Sequence, residues 1–140
     1  RSMKRKCISL FTTLFAFVLS VVCFASCTKT VKIDGDYVVI VAKDVAADTT
    51  LADYMETLQA DGDNEFTFTL ENGMVTSING KANPADYSSC WMLYTSDADN
   101  SNTAWGTAEY DGKTYGSAMY GAEELVVAEG ETYIWWYQTF

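Results

Sequence analysis

Histidine is missing from all 140 residues. Its absence removes a Ser-His-Asp triad, a Cys-His pair, and imidazole ligation of zinc, haem or a corrinoid cobalt. Acid–base chemistry would have to rest on carboxylates alone, as it does in glycosidases. The 19 Asp and Glu residues make many pairs by chance, and no spacing singles one out. A solvated acidic surface is the plainer reading, and the chain is expected not to be an enzyme. Proline is nearly absent too, with Pro84 alone, and no low-complexity tract or internal repeat breaks the chain. Arginine stops at Arg5. Beyond Cys27, five lysines face all 19 acids, a side-chain balance of −14. Such a surface repels nucleic acid and anionic lipid headgroups, so neither is expected as a partner. No residue pattern calls for a cofactor.

What is there begins with a basic start. Arg1, Lys4, Arg5 and Lys6 precede an uncharged run from Cys7 to Phe24, and Ala25-Ser26-Cys27 follows. A basic segment, an apolar segment and small residues before a cut mark a secretory signal, with Met3 its expected initiator. Ala25-Ser26 directly before Cys27 resembles a lipobox, the processing site of bacterial lipoproteins. Phe24 stands where that motif usually has an aliphatic residue. The competing reading is an uncleaved membrane helix, since about eighteen apolar residues are just long enough to span. Ser9, Thr12, Thr13 and Ser20 dilute the run, and no basic cluster follows it.

Residues 1–26 are therefore read as a lipoprotein signal. Residues 27–36 are the lipidated Cys27 with a short polar tether, and residues 37–140 form one domain. The protein is expected to be exported and held by acyl chains at the bacterial cell surface or in the periplasm. Its first partner is then the membrane, through that lipid. At about 3.3–3.6 Å per residue the tether reaches roughly 30 Å, so the domain sits close to the membrane. Cys7 and Cys23 leave with the signal. Cys90 is left without a partner and reads as a buried small hydrophobe rather than a nucleophile.

Along the domain, Tyr37-Val38-Val39-Ile40-Val41-Ala42 is a β-branched run and reads as a buried strand. Thr50 and Asp53 resemble a capping box, and Leu51, Met55 and Leu58 make one apolar stripe, predicting a helix over residues 51–60. The period then switches to two. Residues 66–70 and 74–78 flank Glu71-Asn72-Gly73, and Asn79-Gly80 marks another tight turn. Residues 90–94 are a further strand, and residues 96–104 a polar loop. Asp97, Asp99 and Ser101 imitate the start of a calcium loop, but Asn102 and Ala108 break that pattern. Asp111-Gly112 is a two-residue hairpin signal that pairs Tyr110 with Lys113 and Ala108 with Tyr115. Tyr110 and Tyr115 then share a face, and Trp105 points to the other. Residues 125–127 and 132–137 are the last strands, joined at Glu129-Gly130. With six or seven strands and one helix, the fold class is α+β, dominated by antiparallel sheet.

The order of these features resembles a known family. Thr50-Leu51-Ala52-Asp53 opens the helix, and Thr76-Ser77-Ile78-Asn79-Gly80 follows the first hairpin. Tyr87-Ser88-Ser89-Cys90-Trp91-Met92-Leu93-Tyr94 and Glu129-Gly130-Glu131-Thr132-Tyr133-Ile134-Trp135-Trp136-Tyr137 come after it. Residues 37–140 are in this respect similar to a bacterial domain-of-unknown-function family related to the C-terminal β-domain of transcobalamin and intrinsic factor. The resemblance implies a β-grasp-like fold, with the helix packed on a mixed or antiparallel sheet, and suggests a cobamide-like ligand. The chain departs from the family at residues 96–121, a long insertion where a short Asn-Gly turn is usual, and no ligand residue carries over.

The aromatic residues are the remaining signal. Trp91, and one of Trp135 or Trp136, are expected in the core, because neighbours on a strand face opposite sides. Trp105, Tyr110, Tyr115 and Tyr120 lie in the polar insertion and are the candidate ligand-binding rings, unless the hairpin folds back on the sheet. The leading expectation is a non-catalytic surface lipoprotein with a small-ligand-binding module. The alternative is an adhesion or assembly module that meets a protein or a surface glycan.

Overall fold

The computed structural model describes residues 30–140, so Cys27 and the signal lie outside the described residues. Among the described residues nine strands and one α-helix form an α+β fold in which every strand pair is antiparallel. No helix among the described residues is long and apolar enough to cross a membrane.

The domain begins earlier than the sequence suggests. Strand β1 (Val31–Asp34) pairs with β2 (Tyr37–Val41), and Val31 is buried, so the last part of the expected tether, residues 31–34, belongs to the sheet. Polar Lys32 and Asp34 hid this strand, because an edge strand buries only part of its length.

Helix α1 (Leu51–Ala60) follows with the predicted bounds. The Thr50 side chain accepts from the Asp53 N–H at 3.2 Å, and the Leu51 and Ala52 N–H groups donate to the Leu125 and Ala122 carbonyls, both at 2.8 Å. The free donors of the first turn are thus satisfied. Leu51, Ala52, Tyr54, Met55 and Leu58 are buried.

A small sheet comes next, made of β3 (Phe68–Glu71), β4 (Met74–Ile78) and β5 (Lys81–Ala82). The larger sheet is completed by β6 (Ser89–Thr95), β7 (Ser101–Tyr110), β8 (Lys113–Ala118) and β9 (Thr132–Thr139). Its order is β1-β2-β9-β6-β8-β7. The last strand to be made, β9, lies in the middle, between β2 and β6. Three stretches depart from the sequence reading. Strand β7 takes in Ser101 to Ala104 of the expected loop, residues 125–127 contribute only a single bridge between Val126 and Thr50, and Cys90 is half-exposed.

Two apolar layers result. One face of the large sheet carries Val38, Ile40, Trp91, Leu93, Tyr133 and Trp135, packed against α1 and the small sheet through Met55, Leu58, Phe66, Val75 and Ile78. The other carries Val39, Tyr94 and Ile134 with Tyr37 and Trp136. Strand alternation sends Trp135 to the first face and Trp136 to the second. The small sheet is tied on by the Trp91 indole N–H donating to the Lys81 carbonyl (2.7 Å) and the Tyr137 hydroxyl donating to the Ala82 carbonyl (3.0 Å). Lys81 also pairs with Asp36 and sits 4.4 Å from the Tyr137 ring centre.

Candidate functional site

The predicted hairpin register holds: Tyr110 faces Lys113, and Ala108 faces Tyr115. Asp111 and Gly112 both have positive φ, at 51° and 79°, as the tight hairpin turn needs. Its placement decides what the rings can do. Strand β7 pairs regularly at Ser101 and Asn102, loses register, and resumes at Thr107. Across the break Gly106 takes φ 136°, a value that L side chains rarely adopt. Beyond this kink the hairpin lies across the outer face of the sheet.

Four observations fix that position. Ala108 is fully buried and Tyr115 is 7% exposed, both packed with Val39, Tyr94 and Ile134. The Tyr110 ring centre is 5.3 Å from that of Tyr37, which stacks on Trp136 at 5.4 Å. The Tyr110 hydroxyl donates to Asp34 Oδ2 at 2.8 Å, reaching β1 at the opposite edge of the sheet. Lys32 lies 5.9 Å from the same ring. Burial pushes the Tyr115 phenol above its ordinary range; burial and then the Asp34 acceptor do the same for Tyr110. Lys32 is held above its ordinary range chiefly by the neighbouring Tyr110 hydroxyl.

The four predicted rings therefore do not form one surface. Tyr115 is a core residue and is not presented to a ligand. Tyr110 latches the hairpin tip. Trp105 sits in the register break at 62% exposure, and Tyr120 is 48% exposed at the base of the hairpin. Of the four, Tyr120 alone borders a cleft that is mostly apolar.

That cleft, about 350 Å³, opens where β8 leaves the sheet. Trp91, Leu93 and Trp135 form its floor; their strands β6 and β9 set Leu93 directly beside Trp135. Met74 and Val75 of β4 form one side, and Ala118, Met119 and Tyr120 the other. Met74, Met119 and Tyr120 are exposed large apolar residues, at 49%, 38% and 48%. The turn at Asn72-Gly73 closes one end by meeting residues 121–123. A Cβ on Gly73 would stand 3.1 Å from the Glu123 carboxylate, and one on Gly121 would stand 3.5 Å from the Gly73 carbonyl.

Trp135 carries the site's one anomaly. Its ring is 4% exposed, and its Nε1–H has no acceptor among the described residues. A buried donor left unpaired costs about 1–3 kcal/mol, so such a group is usually retained for a reason. Sequence reading placed Trp91 and one of Trp135 or Trp136 in the core without a ligand role, and it missed Met74 and Met119. Nothing in a linear pattern shows that a turn after β3 and the end of β8 meet over one tryptophan.

A second, polar cleft near the start of α1 is lined by Asp53, Glu56, Glu123 and Glu124, all solvent-exposed. No group of three or more His, Cys, Asp or Glu among the described residues is arranged to hold a metal ion. No protein-family model, curated protein or solved structure matches the chain.

Proposed function

We propose that the chain is an exported lipoprotein, anchored through Cys27, whose domain binds a small ligand without transforming it, in the cleft over Trp135. The observation that carries this reading is the composition of that cleft. Aromatic and thioether side chains line a concavity of about 350 Å³, within the usual range for small-molecule sites, beside one unpaired polar group. Thioethers suit such a wall because they are flexible and polarizable. The lack of histidine and the exposure of the four carboxylates that line the polar cleft support a binding role over catalysis. The β-grasp-like, transcobalamin-related reading belongs to the same proposal. It draws on the strand hairpin, helix and returning central strand, and gives a cobamide-like ligand by analogy alone. A corrinoid is much larger than this cleft, so only an edge of it would enter, and modest affinity is expected.

Two measurements test the proposal. Labelled fatty acid fed to the expressing bacterium is expected to appear on the chain and to be lost in Cys27→Ser; no label on the unmutated chain would remove the lipid anchor. Titration with cobalamin, read by tryptophan quenching, is expected to saturate and to weaken in a Met119→Ala/Tyr120→Ala double variant. No saturable quenching up to about millimolar ligand would remove the cobamide version, because weaker binding is no better than non-specific contact.

One observation favours an adhesion or assembly module as a second reading: the exposed Trp105, flanked by exposed Thr103 and Ala104 on the bulged strand. Under it, Trp105→Ala abolishes capture of a surface partner while ligand quenching is untouched.

A further inference from the structure

The chemistry of the cleft narrows what it can hold. None of its lining residues is charged. No lysine borders it: Lys81 is engaged with Asp36 and Tyr137, and Lys32 lies beside Tyr110 at the far edge of the sheet. A carboxylate, that of Glu123, crowds Gly73 at the closed end. An anion seated here would lose its hydration with no cation to replace it, and a like charge would stand close by. The walls offer Met74, Met119 and the Tyr120 ring, and the floor offers Trp91, all of which reward apolar contact. The polar side chains of the cleft are the Ser117 and Tyr120 hydroxyls, which reach solvent, and the Trp135 indole N–H beneath the floor, which has less than 1 Å² of accessible area and no acceptor among the described residues. An indole nitrogen can only donate, so its complement must be an acceptor.

We infer that the ligand of this cleft is an uncharged, largely apolar small molecule that brings one hydrogen-bond acceptor, a carbonyl or ether oxygen, to the indole N–H of Trp135. The inference rests on the cleft being the binding site. The acceptor sets the orientation of the ligand, and the methionines and Tyr120 enclose the remainder. Because that N–H is closed off in the free protein, the flexible Met74 and Met119 side chains must shift as the ligand enters and uncover it.

Three probes sharing one flat carbon frame test this: 9-fluorenone, fluorene, and 9-fluorenone-4-carboxylate. The full chain is placed in lipid nanodiscs, with free probe fixed by dialysis, and carries labels on its methionine methyls and tryptophan indole N–H groups. Fluorenone is expected to shift the Met74 and Met119 methyls and to move the Trp135 indole proton downfield. Fluorene should shift the same methyls about 2- to 10-fold more weakly, the worth of one hydrogen bond, and leave the indole proton in place. The carboxylate should bind weakest. In Trp135→Phe, fluorenone should fall to the affinity of fluorene, while fluorene is unchanged.

If the carboxylate equals or exceeds fluorenone, or fluorenone leaves the indole proton unmoved, the assigned ligand class is wrong although the cleft still binds. If no probe shifts either methyl, the cleft itself is wrong and the inference falls with it. The indole readout comes from the unmutated chain, so a Trp135→Phe variant that fails to fold does not spare the inference.

Discussion

Glu129 shows how one exposed side chain can hold two segments together. Its carboxylate accepts from the Asp44 N–H at 3.0 Å and the Val45 N–H at 3.1 Å, joining the end of the β2 strand region to the turn before β9. These two backbone donors hold its pKa below the ordinary 4.5. The ionised form is therefore the one that the fold prefers. The stability it contributes is complete above about pH 4.5 and is lost as the pH falls through the lower folded value. Asp86, lowered by the Ser88 N–H and hydroxyl, acts in the same direction. A Glu129→Gln chain keeps one acceptor oxygen but cannot titrate. Its melting temperature should lie below that of the parent at neutral pH, and the two curves should converge on acidification. Parallel curves down to about pH 3 would show that these bonds carry no linked stability.

At the scale of elements, the β7–β8 hairpin is the decisive piece. A hairpin standing clear of the sheet would present its rings to solvent, and removing either Tyr115 or Trp105 would cost little. The kink at residues 103–106 instead lays it over Val39, Tyr94 and Ile134. Tyr115→Ala should then cost about 3–5 kcal/mol, the range for deleting a large aromatic ring from a core. Trp105→Ala, at 62% exposure, should stay within about 0.5 kcal/mol. Urea denaturation of the two variants measures both values. Equal costs would mean that the hairpin does not cover the face. The covered face also explains why the open site is at the hairpin's base rather than along its length.

For the whole molecule, charge is the dominant feature. The balance of −14 after Cys27 meets one ion pair among the described residues, Lys81 with Asp36, and both partners are about half exposed. Salt weakens that pair, but an exposed pair is worth about 0–1 kcal/mol at most. Salt also screens the repulsion among the remaining carboxylates, which is spread over the entire surface. Between about 0.01 and 0.15 M NaCl the Debye length shrinks from about 30 to about 8 Å, and the repulsion should lose more than the pair does. The melting temperature is therefore expected to rise over that interval. A flat or falling profile would show that the acids are already balanced locally.

Some of this was fixed by short-range physics alone. The Thr50 cap, the stripe of Leu51, Met55 and Leu58, and the Asp111-Gly112 turn are settled by neighbours within a few residues, and all stand as read. Alternation told that Trp135 and Trp136 face opposite sides. It could not tell that both sides are covered, one by α1 and the small sheet and one by the hairpin. The same limit hid β1, whose partner supplies most of its reason to be a strand. It also hid the cleft, whose walls come from β4, β6, β9 and the end of β8, far apart in the chain. Period and turn chemistry set which face a side chain takes. Only long-range packing decides what lies against that face, and so where an indole N–H is left without an acceptor.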